Sequence, residues 1–311
     1  MEGPGKSLAR DLDAHAEGLR MTAHGALRQR AEALAGPLPD LLAEAEHLAQ
    51  AVMLGAHGRR RAGMGDEFWQ YRPARAGDPV RAIDWRRSAK SDAHFVREKE
   101  WQAAQAVLVW VDEAQSMNFA SDKNLPTKAD RARLLAMAIS VLLIRGGERV
   151  ALVSLGTPPR SSQLQLLRIA QALSDETEAA DYGAPVIRIM PPHSRAVFVS
   201  DFLGDLAAFE EQLTRAADRG VKGVLYQVLD PQEEAFPFDG RTIFQSVGGT
   251  LEHETLKAGD LRARYLERLA ERKARLQDLA RAVDWQYTCH HTGGSAQSAL
   301  LWLYGAIERR R

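Results

Sequence analysis

The sequence predicts an α/β fold: a parallel sheet with helices on both faces, joined to a small β-containing subdomain and an N-terminal helical region. Three observations predict it. Residues 105–311 alternate short apolar runs with amphipathic stretches of helical length. The runs are continuously apolar, as "AVLVWVD" and "AVFVSD" show, which is the texture of strands buried on both faces. The residues before 105 have a different texture, first Ala/Leu/Glu/Arg-rich and then dense in glycine, aromatics and charge.

Taken in order, residues 1–57 form the N-terminal helical region, in which Gly36-Pro37 is a break and "LPDLLAEAEHLAQAVML" carries apolar residues three and four apart. Residues 58–104 form the β subdomain, with "EFWQYRP" and "HFVREKEW" as candidate strands around an ordered loop. Residues 105–311 form the α/β domain. Strand "AVLVWVD" leads to a helix over 128–145, "RVALVSL" to 162–173, "AVFVSD" to 205–218, "GVLYQVLD" to 254–283 and "WQYTCHH" to 296–309. Thr127-Lys-Ala-Asp130 is a capping-box-like start, and Gly146-Gly147 is a stop. On the long helix Leu261, Tyr265, Leu269, Leu276, Ala280 and Val283 make one stripe, and Glu271 with Arg275 offers an i,i+4 pair.

Composition narrows the function classes. The chain has 311 residues, and Lys+Arg and Asp+Glu number 41 each, so global attraction to nucleic acid or membrane is not expected. One cysteine, Cys289, excludes an intrachain disulfide and fits a reducing compartment. The N-terminus lacks the apolar stretch of a signal peptide, and the longest apolar run, Leu134 to Ile144, is too short to cross a bilayer. A cytoplasmic protein is expected. There is no Gly-rich phosphate loop with a lysine and no GxSxG elbow, so neither ATP hydrolysis nor serine hydrolase chemistry is expected. Cys289, His290 and His291 adjoin on a strand and point to opposite faces, so they cannot close a zinc site. The basic run Arg59–Arg61, with Arg86 and Arg87, offers a nucleic-acid reading that the balanced charge disfavours.

In parallel sheets ligands sit beyond the carboxyl ends of the strands. Those ends carry Asp112, Ser154, Asp201, Asp230 and the His290–His291 pair. Asp112 and Asp201 on neighbouring strands would converge across an open crevice, and with Ser116 they supply the hard oxygens that Mg2+ prefers. The plainer alternative is that both carboxylates accept backbone N–H groups of their own loops. A metal-dependent hydrolase using the two aspartates is a further reading, but no general base of evident position accompanies them.

"VDEAQSM" resembles the metal-ion-dependent adhesion motif of von Willebrand factor A domains, Asp-x-Ser-x-Ser with a later Thr and Asp. Asp112 and Ser116 match its first and last positions, and Asp201 resembles the later Asp. Ala114 stands where the motif has serine and brings no oxygen, and Thr127 is engaged as a helix cap. The resemblance implies a degenerate site that holds Mg2+ weakly or not at all.

A longer resemblance covers about residues 58–290. Gly63, Gly65, Glu67, Phe68, Gly77, Asp78, Arg81, Ile83, Asp84, Trp85 and Glu98, with the later "LDPQEEAFPFDG", are similar to the signature of the bacterial domain-of-unknown-function family 58. That family implies a von Willebrand A-like, Rossmann-like domain encoded beside an AAA+ ATPase of the MoxR type. The expected function is a non-catalytic adaptor between such an ATPase and a client protein. Asp78, Arg81, Asp84, Trp85, Arg86 and Arg87 are the expected partner-binding residues, because Arg and Trp are typical interface anchors. A paired network with Trp85 as its apolar anchor is the competing reading of the same charges.

Overall fold

The computed structural model describes residues 40–56, 68–74, 83–89, 93–99, 104–175, 180–245 and 252–308. Five strands make the central sheet: β3 (Ala106–Val111), β4 (Arg149–Leu152), β5 (Arg195–Ser200), β6 (Lys222–Leu229) and β9 (Gln286–His291). All pair in parallel, in the order β4-β3-β5-β6-β9. The predicted neighbours β3 and β5 are adjacent, with Val107 opposite Arg195 and Val111 opposite Val199. The strand order reverses between them, because the chain leaves β3 for β4 on one side and returns to β5 on the other. Their carboxyl ends form a topological switch point, the usual place for a site in such sheets.

Each face of the sheet is covered, as the continuous apolar strands predict. Val107, Val109, Val111, Val197 and Val199 point to one core, and Leu108, Trp110, Ala196 and Phe198 to the other. The first core is closed by α3 (Lys128–Arg145), α4 (Gln163–Ser174), α8 (Ala296–Glu308) and α1 (Asp40–Ala56). The second is closed by α5 (Ala207–Asp218) and α7 (Ala258–Ala282). Helix α1 places Leu42, Ala45, Ala49 and Val52 in the first core, so residues from the N-terminal helical region share the core of the sheet.

Helix starts are set by local chemistry. Thr127 accepts the Asp130 N–H and the Asp130 carboxylate accepts the Thr127 N–H, so the capping box is complete and Thr127 is spent on it. Ser162 caps α4 through the Gln165 N–H. The short helix α6 (Pro231–Ala235) has a second capping box, Asp230 with Glu233. The stop after α3 uses Gly147 at a φ of 86°, a conformation glycine adopts without a side-chain penalty.

Three details depart from the expectation. The antiparallel pair β7 (Thr242–Gln245) and β8 (Glu252–Thr255) occupies residues that the periodicity assigned to loop and helix, and α7 begins at Ala258 rather than 254. Thr255 is drawn into strand pairing opposite Thr242. Arg275 bridges to Glu210 on α5 rather than to Glu271 one turn away, since a cross-helix partner fixes α7 against its neighbour.

The candidate strands before residue 105 exist as an antiparallel pair, β1 (Phe68–Pro73) and β2 (Phe95–Lys99). A one-turn helix α2 (Trp85–Ser88) lies beside β2, and Ser88 Oγ accepts the Phe95 N–H while donating to the Asp84 carbonyl. Among the described residues no helix is long and apolar enough to cross a membrane.

Candidate functional site

The ends of β3, β5 and β6 bring Asp112, Asp201 and Asp230 to one end of the sheet. All are buried, Asp112 at 3% and Asp201 at 1% exposure, so the expected open crevice is closed. It is closed from above by residues 180–183. Ala180 and Asp181 carbonyls accept the N–H groups of Gln115 and Ser116, and Gly183 lies directly over the Asp112 carboxylate. A Cβ at Gly183 would fall 2.1 Å from Asp112 Oδ1, so only glycine fits there.

Both carboxylates do the plainer job that the sequence allowed. Asp112 Oδ1 accepts the Ala114 N–H at 2.9 Å, and its Oδ2 accepts the Ser200 hydroxyl at 2.6 Å. Asp201 Oδ1 accepts the Leu203 N–H at 3.0 Å. Ser200 Oγ also takes the Phe202 N–H, which holds Phe202 at a φ of 50°. That is a strained conformation for a bulky residue, stabilised by packing of its ring on Trp110 and Phe209.

The residue at the centre of this end of the sheet is one that the sequence reading passed over. Lys128, the first residue of α3, is 1% exposed and points its ammonium inward. Its Nζ donates to Asp201 Oδ2 at 2.9 Å and to Glu233 Oε1 at 2.6 Å. Glu233 is held in place because its other oxygen accepts the Asp230 N–H at 2.8 Å, completing the α6 capping box. Asp230 in turn accepts N–H groups from Gln232 and from Ser121. Gln227, fully buried on β6, donates to the Asp201 carbonyl and accepts the Tyr287 hydroxyl. The three loops that follow β3, β5 and β6 are thereby tied into one network.

Charge in this network is unevenly shared. Burial is the largest influence on Lys128 and pulls its pKa down, but Asp201 and Glu233 together outweigh it and hold the ammonium above its ordinary value. Burial pushes Glu233 and Asp112 up, against the Lys128 charge in both and against the Ser200 hydrogen bond at Asp112. One ammonium does not fully compensate several buried carboxylates.

These residues do not fit the Mg2+ that the adhesion motif implies. Asp201 Oδ2 is engaged by an ammonium, both Asp112 oxygens are engaged by N–H and O–H donors, and Ala114 offers no oxygen. The buried Ser116 hydroxyl makes no hydrogen bond, but it is a lone donor atom. Among the described residues no group of three or more His, Cys, Asp or Glu side chains is arranged to hold a metal. Asp112, Ser116 and Asp201 are thus brought to one end of the sheet without forming an oxygen cage.

Beside this network, Arg131 donates to the carbonyls of Thr292 and Gly294 and lies 3.3 Å from His290 Nε2. Burial first, and the Arg131 charge second, lower the His290 pKa to about 4. His291 points the other way and meets Glu234, so the two histidines do face apart. Burial pushes the Cys289 thiol up to about 11, so it is not a thiolate at neutral pH.

Of the expected partner-binding residues, Asp78 and Arg81 lie outside the described residues, as does the Arg87 side chain. Trp85 is 55% exposed, with its ring edge-on to His94, and Arg86 beside it is exposed. Trp85 is therefore not the buried anchor of a charged network. Asp84 is half-buried, and its N–H donates to the Phe95 carbonyl.

The model of the family described as Protein of unknown function DUF58 matches residues 70–275. The chain belongs to this family. This DUF58 protein is 26% identical over 264 residues to the uncharacterized proteins Mb1516 of Mycobacterium bovis and Rv1480 of Mycobacterium tuberculosis, covering 80% of this chain and 81% of each relative. Among solved structures it is similar to an aerotolerance-related membrane protein from Bacteroides fragilis, with a TM-score of 0.40 and 13% identity over 66% of this chain and 98% of that one. A similar likeness links it to BatB from Bacteroides thetaiotaomicron, with a TM-score of 0.38 and 14% identity over the same shares.

Two residues that matter here, Lys128 and Glu233, were absent from the sequence-based candidates. Both left a signal. A lysine in the first turn of a helix opposes the helix dipole and calls for an acidic partner. "DPQE" has the spacing of a capping box, which fixes the glutamate side chain back over the strand end.

Proposed function

We propose that this DUF58 protein is a non-catalytic protein–protein interaction module of the cytoplasm, with a von Willebrand A-like domain that links a MoxR-type AAA+ ATPase to a client protein. The ATPase partner comes from the family resemblance of the 58–104 signature. The observation that supports the module reading is the contrast in exposure: the strand-end carboxylates are sealed and hydrogen-bonded, whereas Trp85 and Arg86 stand in solvent. A hydrolase needs an accessible carboxylate with freedom to act on a substrate, and neither Asp112 nor Asp201 has it. An exposed Trp beside an exposed Arg is the composition of an interface anchor. The free cysteine is compatible with a reducing compartment.

The test is capture of a purified MoxR-type AAA+ ATPase by the purified full chain, comparing wild type with Trp85→Ala, Arg86→Glu and the double variant. The expected result is loss of capture with a nearly unchanged melting temperature, because surface substitutions usually cost little stability. Undiminished capture by the double variant would remove this surface from the proposal. A collapse of the melting temperature would assign these residues to a structural network instead.

A further inference from the structure

We propose that the Lys128 ammonium is a built-in cation that takes the place of a divalent metal at the ends of β3, β5 and β6, and that removing it uncovers a latent metal site. The inference concerns the wiring of the fold and stands whether or not an ATPase binds.

The geometry is that of a coordinated ion. Nζ contacts Asp201 Oδ2 at 2.9 Å and Glu233 Oε1 at 2.6 Å, and the Phe119 ring centroid lies 5.9 Å away, within cation–π range. An ammonium has three donors and no acceptor, so two are used on carboxylates while the π face lies to another side. The ligands come from separate loops, as a metal's would: Asp201 follows β5 and Glu233 follows β6. Asp112, after β3, is near enough to feel both the Asp201 and the Lys128 charge.

The placement of Lys128 has no local explanation. The N-terminus of α3 already has its cap in Thr127 and its acid in Asp130. A cation in the first turn works against the helix dipole. The lysine is accounted for only by the carboxylates it reaches across the sheet. Its positive charge also excludes a second cation, because Mg2+ drawn to Asp201 would sit against an ammonium in a sealed, low-dielectric setting.

Truncating Lys128 reverses this. Asp201 Oδ2 and Glu233 Oε1 are then left facing the space the ammonium held. Mg2+ and Mn2+ are satisfied by one or two carboxylates completed with water. The buried Ser116 hydroxyl, without a hydrogen-bond partner, adds an oxygen at the same end of the sheet.

Mn2+ titration of the full chain, read by electron paramagnetic resonance, tests the proposal on wild type, Lys128→Ala and Lys128→Ala with Asp201→Asn. The expected result is a saturable site in Lys128→Ala with an affinity at least roughly tenfold above that of wild type, lost again when Asp201→Asn is added. The proposal is overturned if wild type binds Mn2+ as tightly as Lys128→Ala, if Lys128→Ala gains nothing, or if the gain survives Asp201→Asn. Should Lys128→Ala fail to fold, nitrogen-15 spectra of lysine-labelled wild type decide instead. A slowly exchanging Lys128 Nζ signal that Mg2+ does not move supports the built-in cation, and a signal that shifts or vanishes with Mg2+ overturns it.

Discussion

The strand-end network and the Trp85 turn are both dense in charge, yet they differ in what surrounds the charge. At the strand ends Lys128 and Asp201 are buried and Glu233 is mostly so, and the two carboxylates are each held by a backbone N–H of their own segment. At the turn, Trp85 and Arg86 face solvent beside a two-stranded ribbon. A buried ion pair is a poor source of net stability but fixes geometry, because each member left alone is costly. An exposed charge is worth little to the fold and is free to meet a partner. On the proposed reading the two regions divide structural and recognition roles that sequence alone assigns to charged residues without distinction.

The largest effect should come from unbalancing the enclosed network. Lys128→Met leaves Asp201 and Glu233 buried without their cation and should cost about 3–5 kcal/mol in a urea melt. Adding Asp201→Asn and Glu233→Gln removes the stranded charges and should restore much of that loss. If the triple variant is no more stable than Lys128→Met, the network is not the source of the penalty.

Next comes the roof of the network. Gly183→Ala puts a methyl carbon into the Asp112 carboxylate and must displace residues 180–183, costing about 1–3 kcal/mol as an overpacking change. Asp112→Ala makes room, so the two substitutions together should cost less than their sum, the mark of contacting residues. Strict additivity in denaturation measurements would show that Gly183 does not rest on Asp112.

A smaller effect is expected from acid. Burial lowers the His290 pKa to about 4 from 6.5, so the unfolded chain binds the proton first. Stability from this group is complete above pH 6.5 and falls as pH drops toward 4. The loss should be about 1 kcal/mol after allowing for the solvent that reaches a half-buried ring. Asp112 and Glu233, whose pKa values burial raises, act with the opposite sign, so the readout is the difference between wild type and His290→Asn. That difference should shrink from pH 6.5 to 4, and a flat difference would contradict the shift.

The fold was legible where the chain repeats one rule. Strand Ala106–Val111 is apolar at every position and Arg195–Ser200 at its four central ones, and Thr127 and Gly147 mark the ends of α3, so the class and the limits of α3 follow from local chemistry. The antiparallel pair β7–β8 was not legible, because its strands are short and mix charge with Thr, and only their pairing decides them. The carboxylates of the site were legible from their strand-end positions, and Ala114 showed that an oxygen was missing. The cation was not. Lys128 and Asp201 are far apart in sequence, and their meeting depends on the β3–β5 pairing that carries the two loops to one end of the sheet.

The central claim is that the crevice is filled from within. A crystal structure of the full chain grown with Mn2+ tests it most directly through anomalous scattering. The account predicts Lys128 Nζ against Asp201 and Glu233, with no anomalous peak beside Asp112 or Asp201. A peak between those carboxylates, with Lys128 swung outward, would contradict it.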